Sequence, residues 1–67
     1  MSHESNENDD QLLLLEEVAQ ITRLSASTLR WLRHRGEGPP GFKMGRRVMF
    51  RRTAVLEWIR EHEQAQQ

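Results

Sequence analysis

A mainly α fold with a small β-hairpin is what the sequence predicts, on three observations. Two amphipathic stretches follow each other within a few residues between Leu15 and Gly36, a glycine-bearing turn at Gly45 separates two short apolar runs, and a third amphipathic stretch runs from Ala54 to Glu63. The resulting order is helix, helix, hairpin, helix, and the short link between the first two has the spacing of a helix-turn-helix.

The chain opens Met-Ser-His-Glu-Ser-Asn-Glu-Asn-Asp-Asp, polar and acidic with no apolar anchor. Such a segment has nothing to offset the entropy of ordering, so residues 1–11 are expected to be a disordered acidic tail ahead of a folded domain at residues 12–63. A helical pattern begins at Leu13. Leu15, Val18, Ala19 and Ile21 fall near one face, while Glu16, Glu17 and Gln20 point outward, which predicts helix one at about residues 15–22. Its early acids suit the positive end of the helix dipole.

The link Thr22-Arg23-Leu24 lacks the glycine common in such turns. Ser25 is placed to cap the second helix by accepting a bond from a first-turn N–H, and Gly36 to end it in the left-handed conformation. Leu24, Leu29 and Leu32 supply the inward face, leaving Ser27, Thr28, Arg30 and Arg33 on other faces. The helical spacing of Trp31 favours packing in the core over stacking on a sugar or bracing Pro39 and Pro40. No helix crosses Glu37-Gly38-Pro39-Pro40-Gly41, where the prolines remove donors and bias their predecessors away from helix.

Phe42-Lys43-Met44 and Val48-Met49-Phe50 flank Gly45-Arg46-Arg47 and read as a hairpin with both arginines at its tip. Period two puts Phe42 and Met44, and likewise Val48 and Phe50, on one strand face, with Lys43 and Met49 on the other. Thr53 is the expected N-cap of the last helix, with Val55, Trp58, Ile59 and His62 inward and Trp58 in the core. Residues 64–67 are expected to fray.

Sixty-seven residues allow one domain and leave little room for a deep substrate cavity. There is no cysteine for a disulfide or thiolate zinc site, and the longest apolar run, Leu12 to Leu15, is far too short to span a bilayer. No signal peptide pattern is seen, so a cytoplasmic location away from membranes is expected. The formal net charge of zero conceals a division: residues 1–22 carry six acids and no Lys or Arg, or −6, whereas residues 23–60 carry ten basic side chains against Glu37 and Glu57, or +8. A partner within a Debye length feels the local charge, so the folded segment reads as basic. Nine of the ten basic residues are arginine, whose planar fork suits phosphate or guanine.

Candidates for catalysis are poor. His3, His34 and His62 lack metal-ligand spacing, the glycines of residues 36–45 lack a phosphate loop's ending, and no nucleophile stands beside a base. No enzyme activity, metal, cofactor or small-molecule substrate is expected. The basic residues make a better case. Arg30, Arg33 and His34 project from the second helix, with Ser25, Ser27 and Thr28 at its start and Trp31 beside them, while Arg46 and Arg47 crown the hairpin. A helix fits the major groove of double-stranded DNA, and an arginine-tipped hairpin reaches an adjacent minor groove or its phosphates. The alternative of another class is a protein-interaction adaptor that binds through the acidic tail or the last helix.

Leu13 to Ile21, then Ser25-Ala26-Ser27-Thr28-Leu29-Arg30-Trp31, Gly36-Glu37-Gly38-Pro39-Pro40, Lys43-Met44-Gly45-Arg46-Arg47-Val48, and Arg51-Arg52-Thr53 through Trp58-Ile59 together resemble the excisionase-type winged helix-turn-helix family. That group includes phage recombination directionality factors and AlpA-like regulators and is related to the MerR DNA-binding domain. The resemblance covers about residues 12–62. It implies that the second helix enters the major groove, that a wing formed by Lys43, Gly45, Arg46 and Arg47 touches the backbone or minor groove, and that there is no catalysis. Family members of the excisionase branch bind repeated sites, bend DNA and direct an integrase toward excision, so an integrase and further copies of the chain are the implied partners; the same scaffold serves small transcriptional regulators. The sequence departs from the family at Leu14, where a Thr or Ser cap is usual, and in the unacidic first turn after Thr53.

Overall fold

The structure, a computed structural model, describes residues 10–66; residues 1–9 of the expected tail, and Gln67, lie outside the described residues. Strand β1 (Leu12–Leu14) leads directly into helix α1 (Leu15–Thr22), followed by α2 (Ala26–His34), strands β2 (Phe42–Met44) and β3 (Arg47–Arg51), and α3 (Arg52–Ala65). The three antiparallel strands lie in the order β1-β3-β2.

Strand β1 is the main departure from the sequence reading, which placed Leu12–Leu14 at the approach to a helix. Cross-strand pairing explains it: Leu13 stands opposite Phe50, with both buried, and Leu12 and Leu14 stand opposite Arg51 and Met49. The unbroken apolar run Leu12 to Leu15 has no period of its own, so the partner strand decides the state of Leu12–Leu14. Helix α1 starts where expected without a Ser or Thr cap. Glu17 Oε1 instead accepts the Leu14 N–H at 2.7 Å, half of a capping box.

The core is one cluster drawn from every layer: Leu13 of β1, Val18 of α1, Leu29 of α2, Phe50 of β3 and Val55 of α3, with Leu15, Ala19, Leu24, Val48 and Ile59 packed around it. Ile21, expected inward, is 37% exposed. It sits in the last turn of α1, beside an open groove of about 310 Å³ shared with Leu24, Trp58, Ile59 and His62. In the α1–α2 turn, Arg23 takes the left-handed conformation that glycine would have filled, at φ 65°. Thr22 steadies this turn: its Oγ1 donates to Val18 O at 2.8 Å and accepts from the Leu24 N–H at 3.3 Å.

The hairpin register corrects the expected faces. Gly45 and Arg46 alone form the turn, Gly45 with φ 65° and Arg46 without positive φ, the sign pattern of a type II′ turn. Pairing therefore begins at Met44 opposite Arg47, and Phe42 falls opposite Met49 and Lys43 opposite Val48. Directly opposed residues share a face. Val48 and Phe50 thus face the core together with Lys43, whereas Phe42 and Met44 lie on the outer face with Met49, and Met44 is 51% exposed.

Helix α3 follows β3 with no link, so its N-cap is Arg51 rather than Thr53. The Arg52 N–H finds its acceptor in the Gln11 carbonyl at 2.9 Å, and Thr53 Oγ1 donates to Asp10 Oδ1 at 2.7 Å. Asp10 Oδ2 also lies 3.4 Å from Arg51 Nη1, so the last residues of the expected tail are tied to the start of α3. The helix runs two residues past the expected end at Glu63, to Ala65. Trp58, expected in the core, is only half-buried, and His62, expected inward, is exposed with its ring centroid 4.3 Å from that of Trp58.

Gly41 lies tightly against the core. A Cβ built there would sit 2.7 Å from Phe50 Cε2 and 3.1 Å from the Met49 carbonyl oxygen. Gly41→Ala is expected to cost about 1–3 kcal/mol through displacement of a fully packed ring, read as a lower urea midpoint.

Candidate nucleic-acid interface

Helix α2 is held at both ends by its own sequence. Ser25 Oγ accepts the Thr28 N–H at 3.1 Å and donates to Thr28 Oγ1 at 2.9 Å, with Ser27 Oγ 3.2 Å away. The expected cap is therefore present, and the three hydroxyls form one cluster at the helix start. At the other end Gly36 has φ 74°, its N–H donates to Arg33 O at 3.0 Å, and the Glu37 N–H donates to Leu32 O at 2.9 Å. These two bonds make a Schellman motif around the expected glycine.

Leu29 is buried in the core and fixes which way the rest of α2 points. Ser27, Arg30, Trp31 and His34 fall at i, i+3, i+4 and i+7, one exposed stripe; Arg33 is exposed beside it and Thr28 is half-buried. The expected core position of Trp31 is corrected here: it is 56% exposed, because the side of α2 that meets the sheet and the other helices is taken by Leu29 and Leu32.

The helix and the hairpin meet at a cleft of about 300 Å³ lined by Arg30, Arg33 and His34 from α2, Val48 from β3 and Leu15 from α1. Lys43, as the cross-strand partner of Val48, shares the sheet face that borders this cleft. Gly45 and Arg46 are the tip of the wing. Arg47, expected at the tip with Arg46, instead begins β3 and lies on the opposite sheet face beside Met44. Lys43 and Arg46 are thus the wing cations on the side or at the edge nearest α2.

A residue missed by the sequence reading is Arg35. Its Cζ lies 4.9 Å from the centroid of the Trp31 ring, and its Nε and Nη2 donate to Glu37 Oε1 at 3.3 Å and Oε2 at 3.2 Å. The Glu37 carboxylate, first through these bonds and then through its charge, raises the guanidinium above its ordinary pKa, so Arg35 stays charged. Its spacing of four residues from Trp31 was the available signal. The sequence gives no means of telling that Glu37 would turn toward Arg35.

What this surface offers chemically is fixed guanidinium and ammonium charge, exposed hydroxyls and one exposed indole. Among the described residues no group of three or more His, Asp or Glu is placed to hold a metal ion, and no helix is long and apolar enough to cross a membrane. A family profile described as a helix-turn-helix domain matches residues 12–63, well over half of the chain. The chain belongs to this helix-turn-helix family. No match was found among curated proteins or among solved structures. The matched span starts at the first residue of β1 and ends inside α3, so the helix-turn-helix domain includes the strand as well as the hairpin and all three helices. Its helix pair is α1 and α2, which makes α2 the second helix of a DNA-binding motif.

Proposed function

We propose that the chain is a sequence-specific double-stranded DNA-binding protein without catalytic activity, in which α2 enters the major groove and the wing holds the adjoining backbone or minor groove. The observation that carries this reading is the cleft between α2 and β3, where Arg30, Arg33 and His34 stand across from the hairpin whose tip is Arg46. Helix and wing form one basic surface of two parts, matched to two neighbouring grooves. Within this reading Arg30 and Ser27 face base edges, Arg33 and Lys43 the phosphates between the grooves, and Arg46 the strand beyond.

The excisionase-type motifs, above all Lys43-Met44-Gly45-Arg46-Arg47 and Arg51-Arg52-Thr53, support a narrower role as a recombination directionality factor acting in the cytoplasm on the nucleoid. Such a factor binds repeated sites, bends them and works with an integrase and with further copies of itself. The reading is tested by titrating a fluorescent duplex at rising salt. With Arg33, Lys43 and Arg46 on phosphates, log K is expected to fall against log salt with a slope of roughly −3. Absence of binding to any duplex at low salt contradicts it. Gel mobility of duplexes with the site at the end or the centre then separates the roles: a bent complex is expected of the recombination factor, and an unbent one favours a small transcriptional regulator.

A further inference from the structure

We propose that Trp31 reads a thymine methyl group in the major groove, and that Arg35 and Glu37 are positioning residues that hold its indole in place. This inference rests on the DNA-binding reading and assigns part of its specificity.

Trp31 is the most exposed large apolar side chain of the described residues and shares its stripe with Ser27, Arg30 and His34. An indole left in water at that place costs hydrophobic free energy unless something covers it. The guanidinium of Arg35 covers one face, at 4.9 Å from the ring centroid. Arg35 is in turn gripped by both carboxylate oxygens of Glu37, at 3.3 and 3.2 Å. Glu37 is itself fixed by its backbone, since its N–H donates to Leu32 O at 2.9 Å and its carbonyl accepts the Trp58 indole N–H at 3.1 Å. An unbroken series of contacts therefore runs from α3 through Trp58, Glu37 and Arg35 to the exposed ring of Trp31.

Charge gives a second, independent argument. Between Arg23 and Leu56 the only acid is Glu37. In a surface built to attract phosphates, an acid there weakens the attraction and offsets the charge of Arg35. That arrangement is unfavourable for a phosphate clamp and sensible for a brace. The remaining question is what a braced, apolar plane would meet. Base edges in the major groove present donors, acceptors and one apolar group, the C5-methyl of thymine. An indole face beside Arg30 matches that methyl, and Arg30 the acceptors of a neighbouring guanine.

The test uses a duplex enriched by the full chain from a random-sequence pool, remade with single thymines replaced by deoxyuridine, which removes the methyl and nothing else. Wild-type protein is expected to lose about fourfold in affinity at one or two thymines, the worth of one buried methyl, and to be indifferent at the others. Trp31→Ala is expected to bind the parent and the deoxyuridine duplexes alike at those positions; Trp31→Phe, which keeps an aromatic face, retains part of the discrimination. Glu37→Gln is expected to bind random duplex more tightly, having lost a negative charge, while its discrimination against deoxyuridine falls. A purely electrostatic role for Glu37 moves both duplexes together. The proposal is overturned if wild type binds every deoxyuridine duplex as tightly as the parent, or if Trp31→Ala keeps the wild-type profile. Undiminished discrimination in Glu37→Gln overturns the positioning role. Failure to enrich any duplex overturns the DNA-binding reading itself, and this inference with it.

Discussion

Phe50→Ala is expected to leave the domain without a stable fold, since truncating a fully packed phenylalanine costs about 3–5 kcal/mol. Phe50 is 1% exposed and is the largest fully buried side chain. It stands opposite Leu13 of β1, lies within a core that includes Val18, Leu29 and Val55, and presses against Gly41. A single core in a chain below about 70–80 residues rarely supplies more than roughly 3–5 kcal/mol in total, so the loss is of the same size as the whole. Circular dichroism under urea is expected to show a transition displaced to near zero denaturant, or none. Phe50→Leu, which keeps much of the volume, is expected to fold with a lowered midpoint. A Phe50→Ala protein with a wild-type midpoint would mean that the sheet and helices are not held by this cluster.

Arg30→Ala is expected to give the largest loss in DNA recognition that leaves the fold intact. Arg30 is exposed on the outward stripe of α2 and also lines the cleft toward the hairpin. A bidentate contact from such an arginine to guanine is worth about 1–3 kcal/mol of discrimination, so the enriched duplex is expected to weaken by that amount and random duplex by less. Equal losses on both would make Arg30 a phosphate contact. Thermal unfolding is expected to be unchanged, because the side chain has no buried partner to lose.

Much of this arrangement was legible in the sequence because it rests on local chemistry. Ser25 and Gly36 bound α2 through bonds that reach only three to five residues along the chain, and the helical spacing around Val18 and Leu29 selects their inward faces. What was not legible depends on partners distant in sequence. Leu12–Leu14 is a strand because β3 offers it an edge 35 to 39 residues away, and Thr53 is not a cap because β3 runs straight into α3. The hairpin faces were misjudged through one detail. A two-residue turn rather than a three-residue one moves Arg47 into the strand and flips which apolar residues meet the core.

In the site, the outward placing of Ser27, Arg30, Arg33 and His34 followed from helical period, although Thr28, expected on an outer face with them, is half-buried. Trp31 did not, since periodicity cannot say which of two adjacent apolar faces a neighbour will cover. Its brace needed the chain to turn at Gly36 and bring Glu37 back beside Arg35, held there by Trp58 from the last helix.

The central claim is that α2 and the hairpin act as one DNA-facing surface, and amide-resolved NMR during titration with the enriched duplex tests it most directly. The expected result is that the largest shifts fall on α2 with its caps Ser25 and Arg35 and on Lys43, Gly45 and Arg46 of the wing, with those of Ile59 to Ala65 in α3 nearly unmoved. Shifts concentrated instead on the groove of Ile21, Leu24, Ile59 and His62, with α2 and the wing silent, would contradict it.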